Sequence, residues 1–162
     1  MTTAYDFSLT SIDGTSLDLA GFKGRPLLIV NTASQCGFTP QYAALQGLWD
    51  AYKGEGLVVI GVPSNDFGRQ EPGSNAEIST FCETRFGVTF PMAEKRHVRG
   101  ADADPLFKWL AQEAGFAGRP WWNFTKYVIG RDGTLVDWFA CITPPESRRI
   151  RRAIEASLSP LE

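Results

Sequence analysis

The chain has 162 residues, of which 43% are hydrophobic and 21% are charged, and its formal net charge is -2. These values are typical of one globular domain, so we expect residues 1–162 to form a single domain. The near-neutral charge argues against nucleic-acid binding, and no apolar run reaches the ~20 residues that a membrane helix needs. Because the N-terminus shows no signal-peptide pattern, we expect a cytoplasmic protein without stable membrane insertion.

The first half of the chain predicts alternating strands and helices after a short hairpin. Asp13 and Gly14 form the predicted turn of that hairpin. The apolar run PLLIVNTA predicts a strand buried on both faces. A helix follows, for which Thr39 is the predicted N-cap and Pro40 fits the first turn. The run LVVIGVP predicts a second buried strand, and a loop rich in Gly, Pro and Asn follows it.

The second half predicts helices that begin at recognisable capping signals. Ser74 and Glu77 have the spacing of a capping box, and Asp104 with Pro105 forms a second helix start. The run TKYVIGRDGTLVDWFA predicts a closing hairpin, and a last helix is expected from about residue 145 to 157. The elements together predict an α/β protein with a mixed central sheet, helices on both faces and an N-terminal β-hairpin, which is a thioredoxin-like fold.

Cys36 lies between the end of the first buried strand and the start of the first helix. A helix N-terminus carries unpaired N–H groups and partial positive charge, which lower the pKa of a thiol and favour the nucleophilic thiolate. A small buried residue explains the position equally well. A metal ligand is less favoured, because the chain has no CxxC pair and its one histidine, His97, lies in a charged stretch that is typical of an exposed loop.

Four separated motifs carry a family resemblance. The stretches NTASQCGFTPQY, PSNDFGRQEPGSN, FCETRFGVTFPM and WNFTKYVI follow one another in the order typical of the glutathione peroxidase family, which the chain resembles over nearly its whole length. The resemblance implies a thioredoxin fold and the reduction of hydrogen peroxide and organic hydroperoxides. It implies a catalytic set made of Cys36, Gln70, Trp122 and Asn123, with no metal and no bound organic cofactor.

The chemistry of these residue types agrees with that role. Gln70 and Asn123 have amide donors and Trp122 has an indole N–H, which can stabilise a thiolate and then a developing oxyanion. Without the resemblance, a solvated loop residue, a core-filling aromatic and a turn residue would be the preferred interpretations of these three positions.

The resemblance also implies a resolving role for Cys82, which condenses with the sulfenic acid of Cys36 to form a disulfide. A buried helix residue is the alternative for Cys82. A disulfide needs Cα atoms within about 7 Å, so we predict that the helix from about residue 75 to 86 unwinds locally on oxidation. The short connection FAGRP, together with Cys82, resembles the monomeric branch of the family that uses thioredoxin as reductant.

Three alternatives stay open at this point. Glutathione can reduce Cys36 directly and leave Cys82 structural, and a peroxide sensor passes its oxidation to a partner protein. A thioredoxin-fold binding module without redox chemistry is the third.

A few positions depart from the family pattern. Relatives commonly have Asn-Gln-Phe where this chain has Asp66 in the middle position, and we expect the Asp66 carboxylate to face water rather than Cys36. Cys141 replaces a common proline and is expected to be a small buried residue. A basic cluster near the C-terminus predicts a solvated helix face, with contact to a phospholipid head group or an acidic partner as the alternative. Its residues are Arg148, Arg149, Arg151 and Arg152.

Overall fold

The computed structural model describes residues 1–159. The strands are β1 (Ser8–Thr10), β2 (Ser16–Asp18), β3 (Leu27–Thr32), β4 (Val58–Pro63), β5 (Lys126–Ile129) and β6 (Leu135–Phe139), and the helices are α1 (Gln41–Tyr52), α2 (Asn75–Phe86), α3 (Pro105–Ala114) and α4 (Arg148–Leu158). Strands β1 and β2 form the predicted N-terminal hairpin. The other four form one sheet in the order β4-β3-β5-β6.

The central sheet is mixed, as predicted. Strand β3 pairs parallel with β4 and antiparallel with β5, and β5 pairs antiparallel with β6. All residues of β3 and β4 are buried, because helices or loops cover both faces of these two strands. Alternate strand residues point to opposite faces, so Leu28 and Val30 pack with α1, α2 and α4, whereas Leu27 and Ile29 pack with α3.

Two of the predicted helix starts are confirmed by hydrogen bonds. At the start of α2, the Ser74 hydroxyl accepts from the Glu77 N–H and the Glu77 carboxylate accepts from the Ser74 N–H, both at 3.2 Å. At the start of α3, the Asp104 carboxylate accepts from the Leu106 N–H at 3.0 Å, with Pro105 as the first helical residue. These signals are local, so the sequence was sufficient to place them.

Two other predicted helix starts are wrong. The Thr39 side chain does not cap α1, whose N-cap is Pro40. Successive turns separate Cys36 from α1. The Thr39 hydroxyl bonds to residues that precede it: it donates to the Ala33 carbonyl at 2.8 Å and accepts from the Cys36 N–H at 2.9 Å. Helix α4 begins at Arg148 rather than near residue 145, because Ser147 is its N-cap.

Within the described residues, none of the helices combines the length and the apolar character that crossing a bilayer requires.

Candidate active site

The sheet topology brings three of the sequence motifs to one edge. Because β3 and β4 are parallel, the loops that follow them leave the sheet at the same edge. Strand β5 is antiparallel to β3, and its first residue, Lys126, pairs with Val30 near the end of β3. The residues before β5 therefore lie at that edge as well. The loops that carry Cys36, Gln70 and Trp122 meet there.

Cys36 lies in the turn after β3, and its side chain is buried. The Phe38 N–H donates to the Cys36 Sγ at 3.3 Å. The Cys36 N–H itself donates to the Thr39 hydroxyl, which fixes the turn around the sulfur. These two hydrogen bonds fix the position of the Cys36 sulfur at the end of β3.

Asn31 holds the tryptophan-containing segment against the end of β3. Its side-chain amide donates to the Trp122 carbonyl at 2.9 Å, and its side-chain oxygen accepts from the Thr125 N–H at 3.0 Å. Its backbone carbonyl accepts from the Phe124 N–H at 2.6 Å. Asn31 is fully buried, so these bonds are shielded from water. The sequence offered no signal for this role, because Asn31 simply continues an apolar run.

Gln70 and Asn123 are joined directly. The Asn123 amide donates to the Gln70 side-chain oxygen at 3.0 Å, and Asn123 is fully buried. This bond turns the amide NH₂ of Gln70 away from Asn123. The Gln70 backbone carbonyl also accepts from the Gln35 N–H at 3.0 Å, next to Cys36. The two predicted amide residues therefore form a pair tied to the loop that carries Cys36.

The loop after β4 adopts a left-handed conformation that places it against Trp122. Gly68 has φ +66°, and a Cβ at this position would lie 2.9 Å from the Trp122 ring, so the close approach requires glycine. Arg69 also has a positive φ, of 53°. The Phe67 ring packs on Trp122 at 6.0 Å between centroids. Strained backbone at this point is maintained because Trp122 and the Gln70 contacts hold the loop in place.

Cys82 lies on α2 and is 2% exposed. It belongs to the same cluster of buried hydrophobic residues as Cys36, and both cysteines are free thiols. Burial raises the pKa of the Cys82 thiol to about 11, so at neutral pH Cys82 is almost entirely protonated while α2 is intact.

Glu71 lies at the candidate site, and sequence reasoning missed it. The residue is 1% exposed, and its carboxylate accepts a hydrogen bond from the Ser34 hydroxyl at 2.9 Å. Burial raises the pKa of Glu71 to about 7, against the opposing effects of Ser34 and Lys95. A charged residue in a loop rich in Gly and Pro is normally solvated. The available signal was its position directly after Gln70, in the same motif.

The expectation that Asp66 faces water is wrong. Its side chain is 12% exposed, pairs with His97 Nδ1 at 2.7 Å and accepts from the Val98 N–H at 2.7 Å. Burial alone would raise the pKa of Asp66, but the hydrogen bonds from His97 and Val98 hold it below its ordinary value. The loop folds against a segment that lies far along the chain, which local sequence does not reveal. His97 is exposed, as predicted.

The remaining predicted positions lie outside the loops that follow β3 and β4. Cys141 is only partly buried, and its carbonyl accepts from the Gln41 side chain at 2.8 Å and from Lys126 at 3.2 Å. The four arginines of the basic cluster are exposed on α4, in keeping with a solvated helix face. Among residues 1–159, no group of three or more His, Cys, Asp and Glu side chains is arranged to hold a metal ion.

Comparison with known proteins first defines the class of fold. A thiol:disulfide interchange protein of the thioredoxin family from Chlorobium tepidum TLS superposes with a TM-score of 0.63 at 18% identity, over 94% of this chain and 93% of that one. The crystal structure of Trgpx in apo form gives a TM-score of 0.78 at 38% identity, over 98% of this chain and 97% of that one. The protein therefore has a thioredoxin-like fold, as predicted.

The family follows from two further comparisons. The family described as "Glutathione peroxidase" matches residues 4–111, which include Cys36, Gln70 and Cys82. The hydroperoxy fatty acid reductase gpx1 of Synechocystis sp. is 47% identical over 152 residues, 89% of this chain and 90% of that protein. The chain belongs to the glutathione peroxidase family, and it is an enzyme of the peroxidase class, which confirms the resemblance seen in the motifs.

Proposed function

We propose that the protein reduces hydrogen peroxide and organic hydroperoxides with the Cys36 thiolate as nucleophile. The observation that carries the proposal is the meeting of the Cys36 turn, with its N–H to sulfur bond, and the Gln70–Asn123 pair at one sheet edge. The sulfur attacks one peroxide oxygen, an S–O bond forms as the O–O bond breaks, and the second oxygen leaves and takes up a proton. The Synechocystis relative is named for the reduction of hydroperoxy fatty acids, which supports hydroperoxides as substrates.

The surrounding donors have distinct parts in this step. The Gln70 NH₂ and the Trp122 indole N–H are the groups that stabilise the charge on the departing oxygen. One N–H of the Asn123 amide holds the Gln70 side-chain oxygen, so Asn123 also orients the Gln70 NH₂. No metal or organic cofactor enters the scheme.

The second half of the cycle uses Cys82. Its thiol attacks the Cys36 sulfenic acid, a disulfide forms and water leaves, and thioredoxin then reduces the disulfide by thiol exchange. Support comes from the position of Cys82 in the same core cluster as Cys36. We expect a monomer that works in the cytoplasm, with glutathione as the alternative reductant.

A disulfide map tests the proposal. The reduced protein receives one equivalent of hydrogen peroxide, is quenched within seconds, and its cysteine peptides are identified by mass spectrometry. The expected product is a Cys36–Cys82 link in the wild type and in Cys141→Ser, which serves as the matched control. Cys82→Ser should accumulate Cys36 sulfenic acid, and Cys36→Ser should consume no peroxide.

Two results would change the conclusion. A Cys36 sulfenic acid with Cys82 untouched in the wild type would favour reduction by glutathione or a sensor role. A Cys36 that stays a thiol would contradict the peroxidase site itself.

A further inference from the structure

Glu71 is a buried acidic residue to which the scheme proposed above for peroxide reduction gives no part. Two hydrogen bonds hold Glu71 in place. The Ser34 hydroxyl donates to the Glu71 carboxylate at 2.9 Å, and the Glu71 backbone N–H donates to the Asn65 side-chain oxygen at 2.9 Å. Ser34 lies two residues before Cys36 in the chain. A buried acid beside a reactive loop is costly to maintain, which makes its function a question.

Glu71 lines a cavity of about 220 Å³ between the Cys36 loop and α2, which we call the α2 cavity. Ser34 and Gln35 form its wall on the side of the loop, and Ile78 and Phe81 form its wall on the side of the helix. Cys82 follows Phe81 on α2. The disulfide requires that Cys82 and Cys36 approach each other, and the α2 cavity lies between the segments that carry them.

The resolving step requires proton transfer from the Cys82 thiol. The Cys82 thiol must lose its proton to become a nucleophile, and its raised pKa leaves little thiolate while α2 is folded. The hydroxide that leaves the Cys36 sulfenic acid needs a proton in turn. A single group can serve both needs if it accepts the proton of the Cys82 thiol and then gives a proton to the departing hydroxide.

We propose that Glu71, in the α2 cavity, accepts the proton of the Cys82 thiol during the resolving step and passes it to the oxygen that leaves Cys36. The inference rests on the proposed role of Cys82. Glu71 carboxylate and Cys82 thiol give Glu71 carboxylic acid and thiolate. The thiolate attacks the Cys36 sulfur, the S–S bond forms and the S–O bond breaks, and the departing hydroxide takes the proton from Glu71 to leave as water.

The charges around Glu71 suit a base at neutral pH. From the loop side, the Ser34 hydrogen bond and the Lys95 charge counteract burial, and the resulting pKa is about 7. Lys95 Nζ donates to the carbonyls of Glu71 and Gly73 at 3.2 and 2.6 Å, which keeps the cation beside the cavity. A base is most effective when its pKa lies near the working pH.

The groups that α1 and α2 present do not compete for this role. The Tyr42 hydroxyl is fully buried, and its pKa is raised well above the ordinary value by burial, so it stays neutral. Burial is the main cause that raises the pKa of Cys82 and of Tyr42, and the Glu71 charge adds to the rise in both. Glu77 lines the cavity too, but bonds from Ser74 hold its pKa below the ordinary value, so it is a poor base.

Rapid-quench kinetics of Glu71→Gln separate the two half-reactions. One equivalent of hydrogen peroxide is mixed with reduced protein, and Cys36 sulfenic acid and the Cys36–Cys82 disulfide are followed between pH 5 and 9. We expect sulfenic acid formation within about twofold of the wild type and disulfide formation at least about tenfold slower at pH 7.5. The wild-type disulfide rate should fall about tenfold per pH unit below 7 and level off above it. The variant rate should keep rising to pH 9.

Matched variants make the result specific. Glu77→Gln carries the same substitution in the same cavity, keeps a capping-box residue and should behave as the wild type. Ser34→Ala removes a bond that lowers the pKa of Glu71, so its disulfide rate should level off at a higher pH than in the wild type. Unchanged disulfide kinetics in Glu71→Gln would overturn the inference while leaving the proposed function intact.

Two other outcomes would also overturn it. If slower disulfide formation in Glu71→Gln is matched by equally slower hydrogen exchange in α2, Glu71 acts on helix opening and not on the proton. If the wild type forms no Cys36–Cys82 disulfide, the proposed resolving cycle and this inference both fail.

Discussion

At the scale of single residues, buried hydrogen bonds decide what each side chain can do. Asn123 is fully buried, and one N–H of its amide donates to the Gln70 side-chain oxygen. Gln70 therefore presents its NH₂ in a fixed direction, and Asn123 has no amide hydrogen directed at substrate along that bond. The two side chains form one hydrogen-bonded pair, whereas the motifs predicted only that each has an amide donor.

A double-mutant cycle tests this pair. Gln70→Ala and Asn123→Ala should each lower the second-order rate constant for Cys36 oxidation by about 100-fold or more, because each removes the same oriented donor. The double variant should be no slower than the slower single variant. Stopped-flow oxidation with hydrogen peroxide provides the rate, and Gln112→Ala, at an exposed position of α3, is the control. Losses that multiply in the double variant would show that the residues act separately.

Asp66 provides a second test at this scale. Its hydrogen bond and its charge raise the pKa of His97, so the pair stabilises the fold below the ordinary His pKa and loses that effect as pH rises through the raised value. Asp66→Asn should return the His97 pKa to about 6.5, while the Asn oxygen still accepts from the Val98 N–H. His97 is the only histidine in the chain, so NMR titration of its ring follows it directly. If Asp66→Asn leaves the His97 pKa unchanged, the Asp66–His97 pair does not form in solution.

At the scale of elements, the sequence was informative where the determining interaction is local. Both hairpins, the two buried strands and the capping box of α2 follow from residues within a few positions of one another. The wrong starts of α1 and α4 depend on local turns and caps, whereas the misjudged loop residues have partners far apart in the chain. Asp66 bonds to Val98, and Glu71 bonds to Ser34. Sequence patterns specify which face of an element is buried, but not which distant loop supplies a partner.

The same distinction explains the candidate site. Cys36 and Gln70 were predicted as site residues because the motifs around them are specific, and the sheet brings their loops together. The role of Asn31 could not be predicted, because its three bonds depend on the segment before β5 lying antiparallel to β3. Sequence patterns predict that charged or polar loop residues are solvated, even where long-range packing buries them.

Helix α2 is the element that must move if Cys82 resolves Cys36. Its buried residues are Ile78 and Cys82, so its packing against the sheet is slight compared with that of α1. Helices with little buried surface open at low free energy. We predict that α2 amides exchange faster in the oxidised than in the reduced protein, and that α1 amides change less. Hydrogen exchange read by mass spectrometry checks this, with oxidised Cys82→Ser as the control. Equal protection of α2 in both redox states would contradict the unwinding.

At the scale of the whole molecule, the sheet separates two hydrophobic cores. Both thiols of the proposed cycle lie in the cluster formed with α1, α2 and α4. The cluster on the other face is built from α3, the N-terminal segment and the buried strand residues that point to that face. Opening of α2 can thus disturb one core while the other keeps the sheet intact. We expect stability and redox chemistry to be coupled through buried titratable groups near the first cluster.

Glu71 makes that coupling measurable as a pH dependence of global stability. Its pKa is raised from 4.5 to about 7 in the folded protein, mainly by burial. The neutral acid therefore stabilises the fold fully below pH 4.5, and this contribution is lost as pH rises through 7, by about 3 kcal/mol in total. Glu71→Gln cannot ionise, so its unfolding free energy relative to the wild type should increase between pH 5 and pH 8. Urea unfolding at the two pH values measures the difference. Glu77→Gln, whose parent carboxylate is exposed, should show no such increase. If the difference in unfolding free energy between Glu71→Gln and the wild type is the same at pH 5 and pH 8, the Glu71 carboxyl is solvated in solution.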